Sequence, residues 1–382
     1  MGVVEHAGAS IAYRVDGPAS APALLLSNSL GTTTAMWDDQ IAALSQRFRV
    51  VRYDHRGHGS STASRGPYTM ELLADDALAV LNDLEISSAS LCGLSIGGAV
   101  AMWIAAHSPT RVERLVVCCS ARRFPPPEQW VERAAMVRAG GTVALLDALM
   151  QRWFTPQAKD SAPLRSRVEA MLDAADREGY AGCCEALAHL DLTDDLVTIS
   201  APTLVLAGAL DPATTPELVF EVAARIEHSG FVVVPDAAHL ANMEQPARVT
   251  EALLSHLCGP ATERGDAVRR QVLGAEHVER AAAIAVPATA PFQELVGRVA
   301  WGEIWTRPGL DLRTRSCATV SMLVALGRFD ELEMHLRGAE RNGVTREELT
   351  EILLQTAIYC GFPAANRAFA VARRVFGDEP GE

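Results

Sequence analysis

Gly93-Leu94-Ser95-Ile96-Gly97 is the stretch that decides the fold. An apolar run, Ala89-Ser90-Leu91-Cys92, leads into it, and a helix of small residues, Gly98-Ala99-Val100-Ala101-Met102-Trp103-Ile104, leads away. Strand, sharp turn and helix in that order make a nucleophile elbow: glycines two before and two after the serine allow a turn tight enough to lift Oγ clear of the backbone. G-x-S-x-G alone also fits a serine that merely closes a Gly-rich turn; the strand before it and the helix after it select the elbow.

A serine hydroxyl attacks only when a histidine takes its proton, and that histidine needs an acid to fix its tautomer. Behind an elbow the chain order is Ser, then Asp or Glu, then His, each on a loop after a strand. Pro202-Thr203-Leu204-Val205-Leu206-Ala207-Gly208 reads as a buried strand ending near Asp211, and Phe231-Val232-Val233-Val234-Pro235 as another ending near His239. Asp211 is therefore the expected acid and His239 the expected base; Asp236 is a rival acid only three residues from that base. An oxyanion needs two aimed donors. The Ile96 N–H follows the nucleophile, and the Leu30 N–H follows the strand Ala23-Leu24-Leu25-Leu26-Ser27. His55 and His58 precede the nucleophile in the chain, so a structured turn beside the site is their expected role.

These residues resemble the alpha/beta hydrolase superfamily and, within it, the 3-oxoadipate enol-lactonases. The resemblance covers the first two thirds of the chain. It is carried by Asn28-Ser29-Leu30-Gly31-Thr32, Asp54-His55-Arg56-Gly57-His58-Gly59, the elbow with Gly98, and Asp236-Ala237-Ala238-His239. It implies an α/β hydrolase fold with a helical cap at about 122–197, since the roughly eighty residues between the strands near 118 and 202 are too many for a simple connection. Trp130, Trp153 and Phe154 are candidates to wall a substrate, or to pack cap against core. Arg122, Arg123 and Arg152 are candidates to fork onto a substrate carboxylate, with solvated surface arginine as the plain alternative. Gln151-Arg152-Trp153-Phe154-Thr155-Pro156 and the Asn-Ser-Leu-Gly stretch are what point to enol-lactones within the superfamily.

The 382 residues are long for one such domain. A break in Gly, Pro and charge near 258–266 predicts domains at 1–258 and 267–382 with a linker at 259–266. The net charge of −13 and a single lysine, Lys159, exclude a basic nucleic-acid footprint. Eight cysteines without a C-x-x-C pair read as buried free thiols. The opening residues lack the apolar core of an export signal, and no apolar run reaches a membrane span, so a soluble cytoplasmic protein is expected. No metal-ligand cluster is visible.

Beyond the break the pattern is helical throughout. Helices are expected over 310–326 and 330–341, a third opened by the capping box Thr345-Arg346-Glu347-Glu348, and a last one ending at Phe376. Glu331 and His335, at i and i+4, share a helix face, as a proton relay or as an ordinary surface pair. The wider pattern, from Trp301-Gly302-Glu303-Ile304-Trp305-Thr306-Arg307-Pro308 through Gln355-Thr356-Ala357-Ile358-Tyr359-Cys360-Gly361-Phe362-Pro363, resembles the 4-carboxymuconolactone decarboxylases along nearly all of 265–376. The resemblance implies an all-α carboxymuconolactone decarboxylase-like domain, similar to the helical peroxidase-linked disulfide reductases (AhpD-like). Their C-x-x-C-x-x-x-H is replaced here by Arg328, Glu331 and His335, which removes thiol chemistry and leaves acid–base chemistry.

His335 carries over from that family as proton donor and Glu331 as its partner, with Glu303 or Tyr359 next in line. Arg307, Arg315 or Arg328 are the candidates to hold carboxylates. The reaction implied needs no cofactor, because the electrons left by CO2 delocalise into a lactone carbonyl. The two parts together resemble a fused decarboxylase and enol-lactone hydrolase of protocatechuate breakdown acting on small lactone carboxylates, assembling as a homo-oligomer through the C-terminal domain. The alternative is a serine esterase or cofactor-free haloperoxidase carrying a catalytically silent oligomerisation domain.

Overall fold

The computed structural model describes residues 1–283, 286–307 and 309–377. The chain divides into two units, one spanning Met1–Leu257 and the other beginning at Cys258.

The first unit is built on eight strands: β1 (Gly2–His6), β2 (Ala9–Asp16), β3 (Ala23–Ser27), β4 (Arg49–Tyr53), β5 (Ala89–Leu94), β6 (Val112–Cys118), β7 (Thr203–Gly208) and β8 (Ser229–Val234). They lie in the order β1-β2-β4-β3-β5-β6-β7-β8. β1, β2 and β4 pair antiparallel, and every pairing from β4 to β8 is parallel. Continuous apolar runs make β3, β5 and β7 buried on both faces, as parallel strands between helical layers must be, whereas the edge strands β1 and β8 alternate or open to solvent. The chain winds from β3 to β4 and then back to β5. The crevice at that reversal, above the carboxyl ends of the strands, is where an open α/β sheet takes its ligand.

Between β6 and β7 the cap is formed by helices Pro127–Gly140, Leu146–Trp153, Ala162–Asp173 and Arg177–Ala188. Leu146, Leu149, Met150 and Trp153, spaced i, i+3, i+4, i+7, bury one face of the second of these. Asp176 caps the fourth through the Glu178 and Gly179 amides. Small residues let that helix close onto the turn after β4: a Cβ on Gly179 would strike Gly57, and Asp176 donates its amide to the Gly57 carbonyl at 2.8 Å.

The second unit is helical among its described residues: Ala261–Leu273, Ala275–Ala283, Ala290–Leu295, a π-helix at Val296–Trp305, Leu312–Ala325, Phe329–Arg341, Arg346–Cys360 and Phe362–Phe376. The capping box at Thr345 and Glu348 is present. Val320, Val324, Leu332, Leu336, Leu349, Leu353 and Val371 form the core of the last four helices. The linker expected at 259–266 is corrected: the helix Ala261–Leu273 already begins there. Gly265 reads as a breaker in sequence, but it is buried in that helix, and its bare Cα admits the Gly297 carbonyl of the π-helix. The thiol expectation also needs amending, since five cysteines are buried while Cys258, Cys317 and Cys360 are partly exposed; none is in a disulfide.

Candidate active sites

Ser95 sits at φ 58°, ψ −118°, between β5 and the helix Ile96–His107. A non-glycine residue held there is strained, and such strain is characteristic of sites where a side chain is forced into a cavity. The glycines make the turn possible: a Cβ on Gly93 would fall on the Gly97 carbonyl, and one on Gly97 on the Ser27 carbonyl. The Ser95 amide donates to Cys118 O at 2.9 Å and Ser120 Oγ donates to Ser95 O at 2.7 Å, which lock the elbow from below.

Asp211 and His239 meet at the ends of β7 and β8. His239 Nδ1–H donates to Asp211 Oδ2 at 2.8 Å, leaving Nε2 free to accept a proton. The carboxylate is also held by the Ala213 amide at 2.7 Å, the Thr214 amide at 3.0 Å and the Thr214 hydroxyl at 2.6 Å. Burial pushes Asp211 up, yet His239 and these donors together outweigh it and hold the carboxyl below its usual range. The rival Asp236 is exposed at a turn of φ 55°.

Leu30 and Ile96 each offer an amide for the oxyanion. Of three successive amides, Ser29 is spent on Met36 Sδ at 3.2 Å and Gly31 on His58 Nε2 at 3.1 Å, while Leu30 has no partner among the described residues. Ile96 opens its helix without a side-chain cap, so its amide is one of the orphans of a helix start. His55 and His58 are the structured turn expected. His58 Nδ1–H donates to Arg56 O at 3.1 Å and His55 Nε2–H to Asn28 O at 3.0 Å.

Ser95, His239, Ser29, Leu30 and Thr214 line a cavity roofed by the cap. Trp130 and Trp153 are among its walls; Phe154 is buried away from it, as cap-to-core packing. Of the three cap arginines, Arg122 pairs with Glu221 at 2.8 Å and Arg123 with Asp191 at 2.9 Å. Arg152 faces the cavity without an ion pair or hydrogen bond among the described residues. Sequence reading missed two neighbours. Arg133, whose guanidinium lies 4.9 Å over the Trp130 ring, lines the same space, and so does the fully buried Tyr180, whose hydroxyl has no partner. Burial first, and the Arg133 charge second, push the Arg152 guanidinium down; burial pushes the Tyr180 phenol up. Two adjacent cations, with the Tyr180 phenol beside Arg133, are what an anionic ligand would satisfy. A helix-face argument from Trp130 to Arg133, i to i+3, was the one available sequence signal.

The cap is also tied to the base's loop. Glu244 accepts from the Thr155 amide at 3.0 Å and hydroxyl with one oxygen, and from the Ala238 amide at 2.8 Å with the other, while the Leu240 amide donates to Trp153 O at 3.0 Å.

In the second unit His335 is half-buried, its ring stacked on Trp305 at 6.4 Å between centroids. Burial pushes its pKa down, and the exposed Glu331 only partly opposes this. Glu331 does raise the histidine, but desolvation outweighs it and the net shift is downward. Arg307 and Arg328 are exposed and have no ion pair to Glu331 among the described residues; Arg315 is spent on the Arg307 and Leu310 carbonyls at 2.8 and 3.2 Å. Pro308 lies outside the described residues. Among the described residues no group of three or more His, Cys, Asp and Glu is placed to hold a metal ion, and no helix is long and apolar enough to cross a membrane.

The Alpha/beta hydrolase family matches residues 24–252 and the Carboxymuconolactone decarboxylase family residues 290–374. The 3-oxoadipate enol-lactonase 2 of Acinetobacter baylyi is 40% identical over 242 residues, 63% of this chain and 90% of that protein. The 4-carboxymuconolactone decarboxylase of the same organism is 47% identical over 116 residues, 30% of this chain and 87% of that protein. The chain belongs to both families. Among solved structures, the enol-lactonase from Burkholderia xenovorans LB400 superposes with a TM-score of 0.66 at 40% identity, over 68% of this chain and 100% of that one. The first unit is thus an α/β hydrolase, and the second belongs to an all-helical decarboxylase family.

Proposed function

We propose that this chain is a bifunctional enzyme of protocatechuate breakdown: the second unit decarboxylates 4-carboxymuconolactone to 3-oxoadipate enol-lactone, and the first hydrolyses that lactone to 3-oxoadipate. The observation that carries the reading is the pair Arg133 and Arg152 facing the cavity of Ser95, neither in an ion pair with a carboxylate among the described residues, although the Asp211 charge is felt at Arg152. An ester substrate without a charge would leave two half-buried cations unpaired; an enol-lactone bearing a carboxylate arm pairs them. Simple aryl esters, the substrates of the esterase or haloperoxidase reading, do not.

In the hydrolase site Ser95 Oγ gives its proton to His239 Nε2 and attacks the lactone carbonyl. Asp211 stabilises the imidazolium, and the Leu30 and Ile96 amides hold the oxyanion. The bond to the ring oxygen breaks, and the enolate so released takes the proton and becomes the ketone. Water activated by His239 then frees the acid from Ser95. Trp130 and Trp153 wall the ring, with Arg152, Arg133 and the Tyr180 hydroxyl on the carboxylate. In the second unit His335 is the proton donor with Glu331 beside it, and neither step calls for a cofactor. Eight cysteines, none in a disulfide, support a reducing compartment, and we place the enzyme in the cytoplasm. Exposed Met322, Leu326, Ile358, Tyr359 and Phe362 support homo-oligomerisation through the second unit.

The test is to supply 4-carboxymuconolactone to the wild type and to Ser95→Ala, following CO2, enol-lactone and 3-oxoadipate. The wild type should yield CO2 and 3-oxoadipate, and the variant CO2 and accumulating enol-lactone. Loss of both activities in a folded variant sinks the two-site scheme.

A further inference from the structure

The helix Phe329–Arg341 crosses Ala261–Leu273 closely: a Cβ on Gly338 would stand 2.9 Å from the Val272 carbonyl, and Arg341 donates to Val272 O at 3.1 Å and Leu273 O at 2.7 Å. His335 lies one turn before Gly338, on the same face. Its stacking partner Trp305 packs against the cluster of Val272, Leu273 and Trp301. Arg269 lies one turn before Val272. Gly274, at φ 88°, ends that helix and lets Ala275–Ala283 depart in a new direction, carrying His277 to where its charge is felt by His335.

Three guanidiniums lower the pKa of His277 through their charge: Arg269, Arg280 and Arg341. Arg341 is spent on the two carbonyls, and Arg280 pairs with Glu276 at 3.2 Å. Arg269 differs. Its Nε is buried without a partner, and no carboxylate compensates it among the described residues. A buried, unpaired donor of this kind is costly unless something binds it.

We propose that Arg269 and His277 belong, with His335, to one site that takes up a lactone carrying two carboxylates. The proposal deepens the decarboxylase reading above and rests on it for the identity of the lactone. Arg269 holds the carboxylate that is retained. The C–C bond to the other carboxylate breaks, CO2 leaves, and the electron pair runs through the ring double bond into the lactone carbonyl. Protonated His335 then delivers its proton to the carbon beside that carbonyl, giving the enol-lactone, and regains a proton from water.

His277 is a positioning residue in this scheme. The charged groups that act on His335 are Glu331 on its own helix and His277 on Ala275–Ala283, and those that act on His277 in turn are Arg269, Arg280 and Arg341. Burial first and His277 last push His335 down, with Glu331 opposing; burial and the three arginines push His277 down. Both rings are thus mainly neutral while the site holds no anion, and a dianion reverses the balance. The proton donor becomes charged when its substrate arrives.

The full chain is the material for the test, with Arg269→Gln and His277→Gln, and with enol-lactone hydrolysis in each variant as the check that the protein is intact. Arg269→Gln should raise KM for 4-carboxymuconolactone about tenfold or more, with kcat changed much less. His277→Gln should move the alkaline limb of the kcat/KM profile to higher pH, and the His335 ring signals in NMR should titrate at higher pH than in the wild type. Tricarballylate, an unreactive polycarboxylate, should raise the His335 titration in the wild type but not in Arg269→Gln. An unmoved His335 titration in His277→Gln, or a tricarballylate response that survives Arg269→Gln, overturns the site. A wild type that responds to tricarballylate yet releases no CO2 from 4-carboxymuconolactone overturns the decarboxylase reading and leaves the anion site standing.

Discussion

Arg152 is the residue on which substrate choice turns. Its guanidinium is half-buried, pushed down by desolvation and by Arg133, and without an ion pair among the described residues. Arg152→Gln should raise KM for 3-oxoadipate enol-lactone by one to two orders of magnitude, the scale of a lost charge-assisted pair at ~1.5–3 kcal/mol. Hydrolysis of an uncharged aryl ester should fall little or rise. Equal losses on both substrates would make the arginine a structural support of the cap. At this scale the triad was legible because the chemistry dictates it: a strained serine needs Gly on both sides, and base and acid must follow in order at strand ends. Arg133 and Tyr180 were not, because nothing in the cap's helical pattern says which side of a helix looks down on Ser95. His277 and Arg269 escaped for a related reason, since their meeting with His335 depends on a helix crossing at Gly338.

The element that couples stability to pH is the turn 54–59 after β4. Asp54 accepts from the Thr34 amide at 2.7 Å and the Ser60 amide at 3.0 Å, and the turn packs two fully buried histidines beneath the Leu30 loop. Burial pushes His55 down to about 3, with the neighbouring His58 adding to it, and burial pushes His58 down as well. The unfolded chain therefore takes up protons on these rings below about pH 6.5 while the folded chain does not. Stability falls as pH drops, by up to ~1.4 kcal/mol per pH unit for each histidine. Urea unfolding of the hydrolase unit from pH 7 to 5 should show this loss, and His55→Gln should flatten it. An unchanged slope in that variant would assign the acid sensitivity elsewhere. Strands and late helices were readable from apolar runs and capping residues. The start of Ala261–Leu273 was not, because a buried glycine that admits another backbone looks in sequence like a helix breaker.

The molecule as a whole is two units, each with its own core. Brief proteolysis should cut first near Cys258-Gly259-Pro260, ahead of Ala261–Leu273, and the C-terminal fragment should be the one that sediments as a multimer, drawn together by the exposed Ile358, Tyr359 and Phe362. Early cuts inside either unit, or a multimeric N-terminal fragment, would reverse that assignment. One tie within the first unit reaches further. Because Glu244 and the Trp153 carbonyl fasten the cap to the stretch that carries His239, the cap cannot swing open there without pulling the base out of register with Asp211. Phe124, Trp130 and Arg133 border an adjoining cavity beside the Thr214 loop. With the roof held there, lactone and acid are expected to pass by side-chain turns at Phe124, Trp130 and Arg133 rather than by a hinge of the whole cap.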